Sequence, residues 1–368
     1  MVILVMVLVV VGLILLQSVV YHKFWRQGLS LSVRFSSKEA FEGDSMYLLQ
    51  ELANKKILPL PWILMRYQLS KHLIFDDSPA ESGTLVKNQS ALFSVMMYQS
   101  VRRKLRFVCG KRGFYRLRTV SVTCNNLLHT RRFMDYADCN SELTVFPKIL
   151  HDAEELQMIY KTLDAAMLSN SLINPDPFEF KGIREYSPTD PLRNVNFKAS
   201  AVAQQLMVNI YAPTASKRLE IVLNVDHYTK YPNYELYEQA IRMAATVASR
   251  YIAEDVKVSF FTNGVDIYMG NQIKISGGNS SAHLHSILEG LARVDVFFRS
   301  VEMTPQLHNL QDDSVVYLII SSNHDADFLQ ALDGMQERGL DYFVIVPVEK
   351  DMRVDLAETD KIKLWEAL

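Results

Sequence analysis

The first 21 residues, MVILVMVLVVVGLILLQSVVY, carry no charged side chain, and only Gln17 and Ser18 are clearly polar. About 20 apolar residues in a helix cross the hydrocarbon core of a bilayer. A helix buried in a soluble domain would show a polar stripe, and this run has none. A cleaved secretory signal needs a basic stretch before the apolar run and a small-residue cleavage site after it. No Lys or Arg precedes Lys23, and QSVVYHKFW offers no such site. Residues 1–22 are therefore expected to form a single-pass anchor that stays on the chain. Lys23, Arg26, Arg34 and Lys38 follow it, which by the positive-inside rule places the bulk of the chain in the cytoplasm at the cell membrane. Tyr21, Phe24 and Trp25 are expected to form an interfacial aromatic belt.

The remainder has the makings of two or three globular domains. The chain has 368 residues, 49% hydrophobic and 22% charged, which supplies a sizeable core and argues against global disorder. A net charge of −2 gives no electrostatic argument for a nucleic-acid partner. Cys109, Cys124 and Cys139 are dispersed with no C-x-x-C spacing. That pattern argues against a disulfide framework or a thiolate zinc site and suits a reducing compartment.

Residues 29–148 read as short strands broken by Gly, Pro and Asn, which suggests an antiparallel β-sandwich-like domain. Residues 149–177 contain KILHDAEELQMIYKTLDAAML, with apolar residues at helical spacing, and read as a connecting helix and linker closed by NPDPF. Residues 178–215 hold a charge-dense segment. From 216 to 350, strands and helices alternate, and RLEIVLNVD and SVVYLIISS are continuous apolar strands. Such alternation predicts a Rossmann-like α/β domain built on a parallel sheet. Ser281 is expected to cap the helix SAHLHSILEGLARV. Residues 351–368 read as a C-terminal tail.

Motifs for chemistry are sparse. No G-x-G-x-x-G follows the first α/β strand, and no G-x-x-x-x-G-K-[ST] occurs. The loop SGGNSS (276–281) precedes a helix and resembles an anion cradle weakly; a plain loop with a helix cap explains it better. His283 and His285 are two apart on a predicted helix and so face different directions, unlike helical metal pairs. No G-x-S-x-G appears, and Ser200 near Lys198 has no evident oxyanion hole. In RRKLRFVCGKRGFYRLR (102–118), Arg102, Lys104 and Arg106 alternate along one strand, and Arg116 and Arg118 along the next. A solvated sheet face is the simplest reading, a surface facing anionic lipid the sharper one, and RNA binding a poorer third.

The charge-dense segment, GIREYSPTDPLRNVNFKASA (182–201), is the most specific motif. Gly182, Arg184, Tyr186, Pro188, Asp190, Arg193, Val195, Asn196, Lys198, Ala199, Ser200 and Ala201 together resemble the signature of the bacterial domain-of-unknown-function 58 family. RGFYRL (112–117), LTVFP (143–147) and the Pro-Leu-Pro-Trp loop at 59–62 add to the resemblance, which extends over nearly the whole chain. It departs from the family at Phe197, where Trp is usual, and at Thr189-Asp190, where Gly-Asp is common. The resemblance implies an anchor, a β-rich domain, the signature, and a von Willebrand factor A-like domain. Metal-binding members of that class carry D-x-S-x-S after the first strand, whereas this chain has Asp226-His227-Tyr228-Thr229-Lys230 there and Ser321-Ser322-Asn323 after a later strand. A degenerate site at Asp226 with no metal and no cofactor is expected.

The resemblance implies a non-enzymatic partner of a MoxR-type AAA+ ATPase, acting in assembly or maturation of other proteins. Two alternatives remain: a divalent-metal-dependent adhesion-type module, and a hydrolase using Asp190 or Lys198 as base. Read from the residues, the signature looks like a joint between domains. Arg184 and Arg193 offer planar forks, Asp190 the acidic partner, Pro188 and Pro191 the turn, and Asn196 and Ser200 further hydrogen bonds. A buried, wholly connected network that locks the fold is expected, ahead of a partner-facing surface.

Overall fold

The computed structural model describes the chain except residues 1, 76–85, 151–153, 174–179, 189, 212–217, 227–232, 298–299, 350–358, 360 and 367–368. The chain divides into two compact units, Met1–Lys148 and Ile149–Leu368.

In the first unit the apolar run folds as helix α1 (Val2–Phe24), long and apolar enough to cross a membrane. Alternating burial marks the strands that follow: β1 (Leu29–Phe35), β2 (Glu39–Phe41), β3 (Ser45–Asn54), β4 (Leu60–Ser70), β5 (Leu73–Phe75), β6 (Val86–Val95), β7 (Ser100–Cys109), β8 (Gly113–Asn125) and β9 (Arg132–Phe146). They pair into two sheets of order β1-β3-β7-β5 and β2-β9-β8-β4-β6. All pairs are antiparallel except β2 with β9. Val33, Leu48, Leu52 and Phe107 of one sheet and Ile63, Met65, Val122 and Leu143 of the other share one apolar core. In that core Gln50 donates to the Tyr67 hydroxyl, joining β3 to β4 across the two sheets.

The base of α1 is fastened to this unit. Ser18, Tyr21 and Trp25 recur at helical spacing and are buried. The Tyr21 hydroxyl donates to the Pro59 carbonyl at 2.6 Å. The rings of His22 and Trp25 meet Phe133 at centroid distances of 5.8 and 6.2 Å. The expected interfacial aromatic belt is not formed by all three: Tyr21 and Trp25 are buried against the protein, and Phe24 alone of the three is exposed. Past the helix, Lys56 Nζ donates to the Trp25 and Gln27 carbonyls at 2.5 and 2.6 Å, and Arg26 pairs with Asp135 at 2.6 Å. Burial brings the Lys56 ammonium down to about 8.

The second unit contains α2 (Glu154–Ile173), β10 (Phe180–Glu185), α3 (Phe197–Ala203), β11 (Met207–Tyr211), β12 (Arg218–Asn224), α4 (Tyr234–Ala253), β13 (Lys257–Val265), β14 (Gln272–Gly278), α5 (Ser281–Arg293), α6 (Thr304–His308), β15 (Val316–Ser321), α7 (Ala326–Glu337), β16 (Asp341–Val348) and β17 (Ile362–Glu366). Six strands form one sheet of order β14-β13-β12-β15-β16-β17, parallel throughout except for the edge strand β14. Val222, Ile319 and Val344 pack with Leu307 of α6 and Phe328 and Met335 of α7. Their neighbours in sequence point to the other face, where α4 contacts β12, β13, β15 and β16.

Two stretches differ from expectation. Helix α2 is not a linker: it packs on β15 and β16, with Leu156, Ile159, Tyr160, Leu163 and Met167 buried in one helical stripe. The Tyr251 hydroxyl of α4 hydrogen-bonds Asp164 at 3.0 Å, and the Arg250 guanidinium stacks 3.9 Å from the Tyr160 ring. Residues 362–366, expected in a tail, form the outermost parallel strand and bury Trp365. At α5 the cap is Ser280 rather than Ser281, its hydroxyl accepting from the His283 amide at 3.1 Å. Leu163→Ala should destabilise the chain by about 2–5 kcal/mol, as a fully buried leucine truncated in a packed core does; urea unfolding checks this, and a mere connecting helix would show almost no change.

Candidate functional site

Crossovers leave β12 and β15 in opposite directions, to β13 on one side and β16 on the other. Open α/β sheets take ligands in the crevice beyond the carboxyl ends of strands at such a switch point. Here that crevice is an open cleft of about 1210 Å³. Asp226, Asp295, Glu302, Asp325, Asp327, Asp333 and Glu337 line it, against His308 and Arg338 as the basic groups among its described residues. Arg338 is already used: its guanidinium donates to the carbonyls of Leu307, His308 and Gly334, tying α7 to α6.

The floor of the cleft is a polar layer made by the strand ends. Asn224 Nδ2 donates to Ser321 Oγ at 3.0 Å. Asn263, at the end of β13, donates from Nδ2 to Asn224 Oδ1, Asp226 Oδ1 and the Val301 carbonyl at 3.0, 2.7 and 2.9 Å, and accepts from the Val225 amide at 2.9 Å. The second carboxylate oxygen of Asp226 accepts from the Met303 amide at 2.8 Å, and the Ser300 side chain also bonds the carboxylate. Burial raises the Asp226 carboxyl above its usual range, and the nearby charges of Glu302 and Asp325 add to the shift against the hydrogen bonds. Both oxygens thus have protein donors. Beside them Asn323 donates to Asp325, which caps α7 by accepting from the Phe328 amide at 2.8 Å. His227, Tyr228, Thr229 and Lys230 lie outside the described residues. No group of three or more His, Cys, Asp or Glu side chains with metal-holding geometry occurs among the described residues.

The signature forms a small module of its own. β10 and β11 pair antiparallel, with a register shift at Gly182, and a short 3-10 turn (Leu192–Asn194) and α3 fill the connection. Arg184 grips Asp190 through two parallel bonds of 2.7 and 2.6 Å, and the Ser187 amide adds a third at 2.8 Å. The guanidinium and this amide hold the Asp190 carboxyl below the usual carboxylate range. Asn196 caps α3 by accepting from the Ala199 amide at 3.0 Å and donates to Asn209 at 2.8 Å. Ser200 Oγ donates to the Asn196 carbonyl and accepts from the Met207 amide, at 2.7 and 2.8 Å, so it serves as a clasp between α3 and β11. Tyr186 is half-buried, its amide bonding the Leu206 carbonyl at 2.9 Å.

The expected buried network is instead a surface arrangement. Val208 is the one buried side chain among the module's described residues. Arg184 is 48% exposed, and Arg193 and Lys198 point to solvent without joining the Asp190 pair. Phe197 is 77% exposed. A two-stranded ribbon with one short helix has too little surface to bury more.

The basic residues also separate. β7, with Arg102, Lys104 and Arg106, belongs to one sheet, and β8, with Arg116 and Arg118, to the other. They cannot make one lipid-facing surface. Arg102 pairs with Glu51 at 2.9 Å, Arg116 with Glu142 at 2.8 Å, and Arg106 donates to Ser45 Oγ at 3.1 Å. His283 Nε2 donates to the Val258 carbonyl at 2.7 Å, a structural role. The residues that sequence reasoning missed are Asn224, Asn263 and Ser300. A polar side chain closing each apolar strand, as in VLN and FTN, is the signal that was available.

No family model and no curated protein matches the chain. Among solved structures, the chain is similar to the C-terminal domain of Wzt, with 12% identity and a TM-score of 0.24 over 33% of this chain and 75% of that one. A CARDB domain from Pyrococcus furiosus in complex with di-metal ions gives 13% identity and a TM-score of 0.20 over 32% and 91%. The PapD-like domain 7 of human CEP192 gives 16% identity and a TM-score of 0.18 over 33% and 87%. The fold is defined by the chain's own strand pairing.

Asp226→Ala would take from the Met303 amide the carboxylate oxygen it donates to and should cost about 1–3 kcal/mol in urea unfolding, the range for a buried donor left unpaired. The raised carboxyl also sets a pH trend. The folded state holds this proton more tightly, so stability declines as pH rises from about 4 through the higher folded-state value. In Asp226→Asn that part of the decline should vanish when unfolding is compared across pH 4–7.

Proposed function

We propose that the protein is a membrane-anchored, non-enzymatic interaction scaffold. Its two units are read as a β-sandwich-like domain and a Rossmann-like, degenerate von Willebrand factor A-like domain, with the bulk of the chain in the cytoplasm. The signature module is the surface it offers to a partner. The observation that carries this reading is the exposure of Leu192, Phe197 and Val202 around the Arg184–Asp190 pair. Apolar side chains left uncovered and rimmed by charge mark contact surfaces, and an aromatic flanked by basic residues suits an interface anchor. Arg193 and Lys198 supply the rim. The choice of a MoxR-type AAA+ ATPase as partner comes from the family resemblance of residues 182–201.

The acid-rich cleft favours a second reading, a divalent-metal-dependent adhesion-type module. Against it stands Asp226, whose two oxygens are already engaged by Asn263, Ser300 and Met303. The hydrolase reading has weaker support, because Asp190 is held by Arg184 and Ser200 by the Asn196 carbonyl and Met207 amide.

Affinity capture from a mild-detergent extract tests the scaffold reading. The wild-type chain should retain an AAA+ ATPase, and Phe197→Ser and Leu192→Ser should each lose it with an unchanged melting temperature. Retention by both variants, or no ATPase with the wild type, would sink the proposal. Calorimetric titration with Mg²⁺ or Mn²⁺ should give no saturable heat; tight binding abolished by Asp226→Ala would favour the metal-dependent module.

A further inference from the structure

The strands of the first unit run so that one end gathers the ends of β3, β6 and β8 and the starts of β1, β4, β7 and β9. That is the end at which α1 enters. Three turns lie there, at 55–59, 96–99 and 126–131; hydrogen bonds fix the first two to each other and the first to the chain leaving the helix. The Lys55 amide donates to the Gly28 carbonyl at 2.7 Å, and the Tyr98 amide to the Lys56 carbonyl at 3.2 Å. Asn54 Nδ2 bridges the Leu58 and Met96 carbonyls at 2.8 and 2.9 Å. Trp62 and His129 stack edge-on with centroids 4.7 Å apart.

The tips of these turns have an unusual composition. Surface turns are built from Gly, Asn, Asp, Ser and Pro. These present Ile57, Met96, Met97, Tyr98, Leu127 and Leu128, all exposed, with Ile57 at 70% and Tyr98 at 71%. None of the three turns contains Asp or Glu, while Lys55, Lys56, Arg131 and the adjoining Arg132 are basic. Among the described residues, the turns at the opposite end, 42–44, 71–72 and 110–112, are charged or glycine-bearing and themselves hold no exposed large apolar side chain, with Phe41 and Ile74 exposed on the strands beside them.

The helix itself gives the depth. The apolar stretch Ile3–Phe24 has 22 residues. At 1.5 Å per residue it spans about 33 Å, close to the hydrocarbon thickness. Ser18 is buried against the protein, so the body covers one side of the helix about 9 Å back from its end at Phe24. Val20 and Phe24 line, with Ile57 and Leu58, an apolar cleft of about 390 Å³. The turn at 55–59 thus lies beside the last turns of a helix that, in a bilayer, are at the acyl–headgroup boundary.

We propose that the turns at 55–59, 96–99 and 126–131 form a membrane-docking face, whose apolar tips enter the same bilayer leaflet that receives the end of α1. Lys55, Arg131 and Arg132 flank the tips and meet anionic headgroups, as basic residues beside an inserted apolar surface do. This rests on the reading of α1 as a membrane span. The β-unit is then a body set into the interface on three feet, not one hanging from a flexible stalk.

Depth labelling of the full chain in phosphatidylcholine/phosphatidylglycerol vesicles tests it. Single cysteines at Leu13→Cys, Met97→Cys, Leu128→Cys and Lys71→Cys, each in a Cys139→Ser background, receive an environment-sensitive fluorophore. Cys109 and Cys124 are fully buried, and burial pushes their thiols up to about 12, so they stay unlabelled. All four positions are exposed, and unchanged thermal unfolding verifies each labelled protein. Nitroxide lipids should quench Leu13→Cys, Met97→Cys and Leu128→Cys, and leave Lys71→Cys, at the far end, unaffected. If Leu13→Cys is quenched while Met97→Cys and Leu128→Cys match Lys71→Cys, the docking face is refuted and the anchor stands. Blue-shifted emission at the tips without lipid quenching would mean a second copy or another protein covers them, which also refutes it. If Leu13→Cys is unquenched as well, the membrane-span reading fails and the proposal with it.

Discussion

Polar atoms taken out of water must find partners inside the protein, and in the α/β unit that constraint converges on the side-chain amide of Asn263. It ties the ends of β12 and β13 to the Val301 segment and to one oxygen of Asp226. Everything at the switch point takes its place from this contact: Asn224 turns toward Ser321, Ser321 toward Asn323, and Asn323 toward the cap of α7. The adjoining Gly264 lets the backbone pass close, since a Cβ there would lie 2.8 Å from the Val294 side chain. The donors and acceptors that floor this open cleft are thus engaged with one another.

The two ends of the chain's chemistry are therefore different in kind. The cleft concentrates carboxylates above a self-satisfied floor. The signature module has a polar clasp inside and apolar side chains outside. In the first unit, Lys56 sits at the carboxyl end of α1, where a cation is favoured by the helix dipole and by unpaired carbonyls.

Much of this was legible in the sequence where local pattern decides structure. The uncharged run at the start, the alternation in LSLSVRF and the unbroken apolar VVYLIIS and YFVIVPV all became the elements they suggest. What failed was set by pairing between distant segments or by how much surface was available. Only three residues separate β7 from β8, so their arginines looked like one face. Yet β7 pairs with β3 and β5, and β8 with β4 and β9. The signature read as a buried lock because its charges are complementary. Complementarity does not say whether anything lies on top of them, and for Phe197 nothing among the described residues does. The turn tips Ile57, Met97 and Leu128 carry no local sign of the end they share, because that end is set by pairing between distant strands.

The last strand has a practical consequence for anyone handling the protein. β17 covers the free edge of β16 with parallel bonds along Val344–Val348, at the very end of the sequence. Without residues 362–366 the sheet would end in a bare strand whose Val344–Val348 stretch is apolar, a template for pairing with other chains. Residues 362–366 are thus a seal on the sheet, and their deletion would be read out as insolubility.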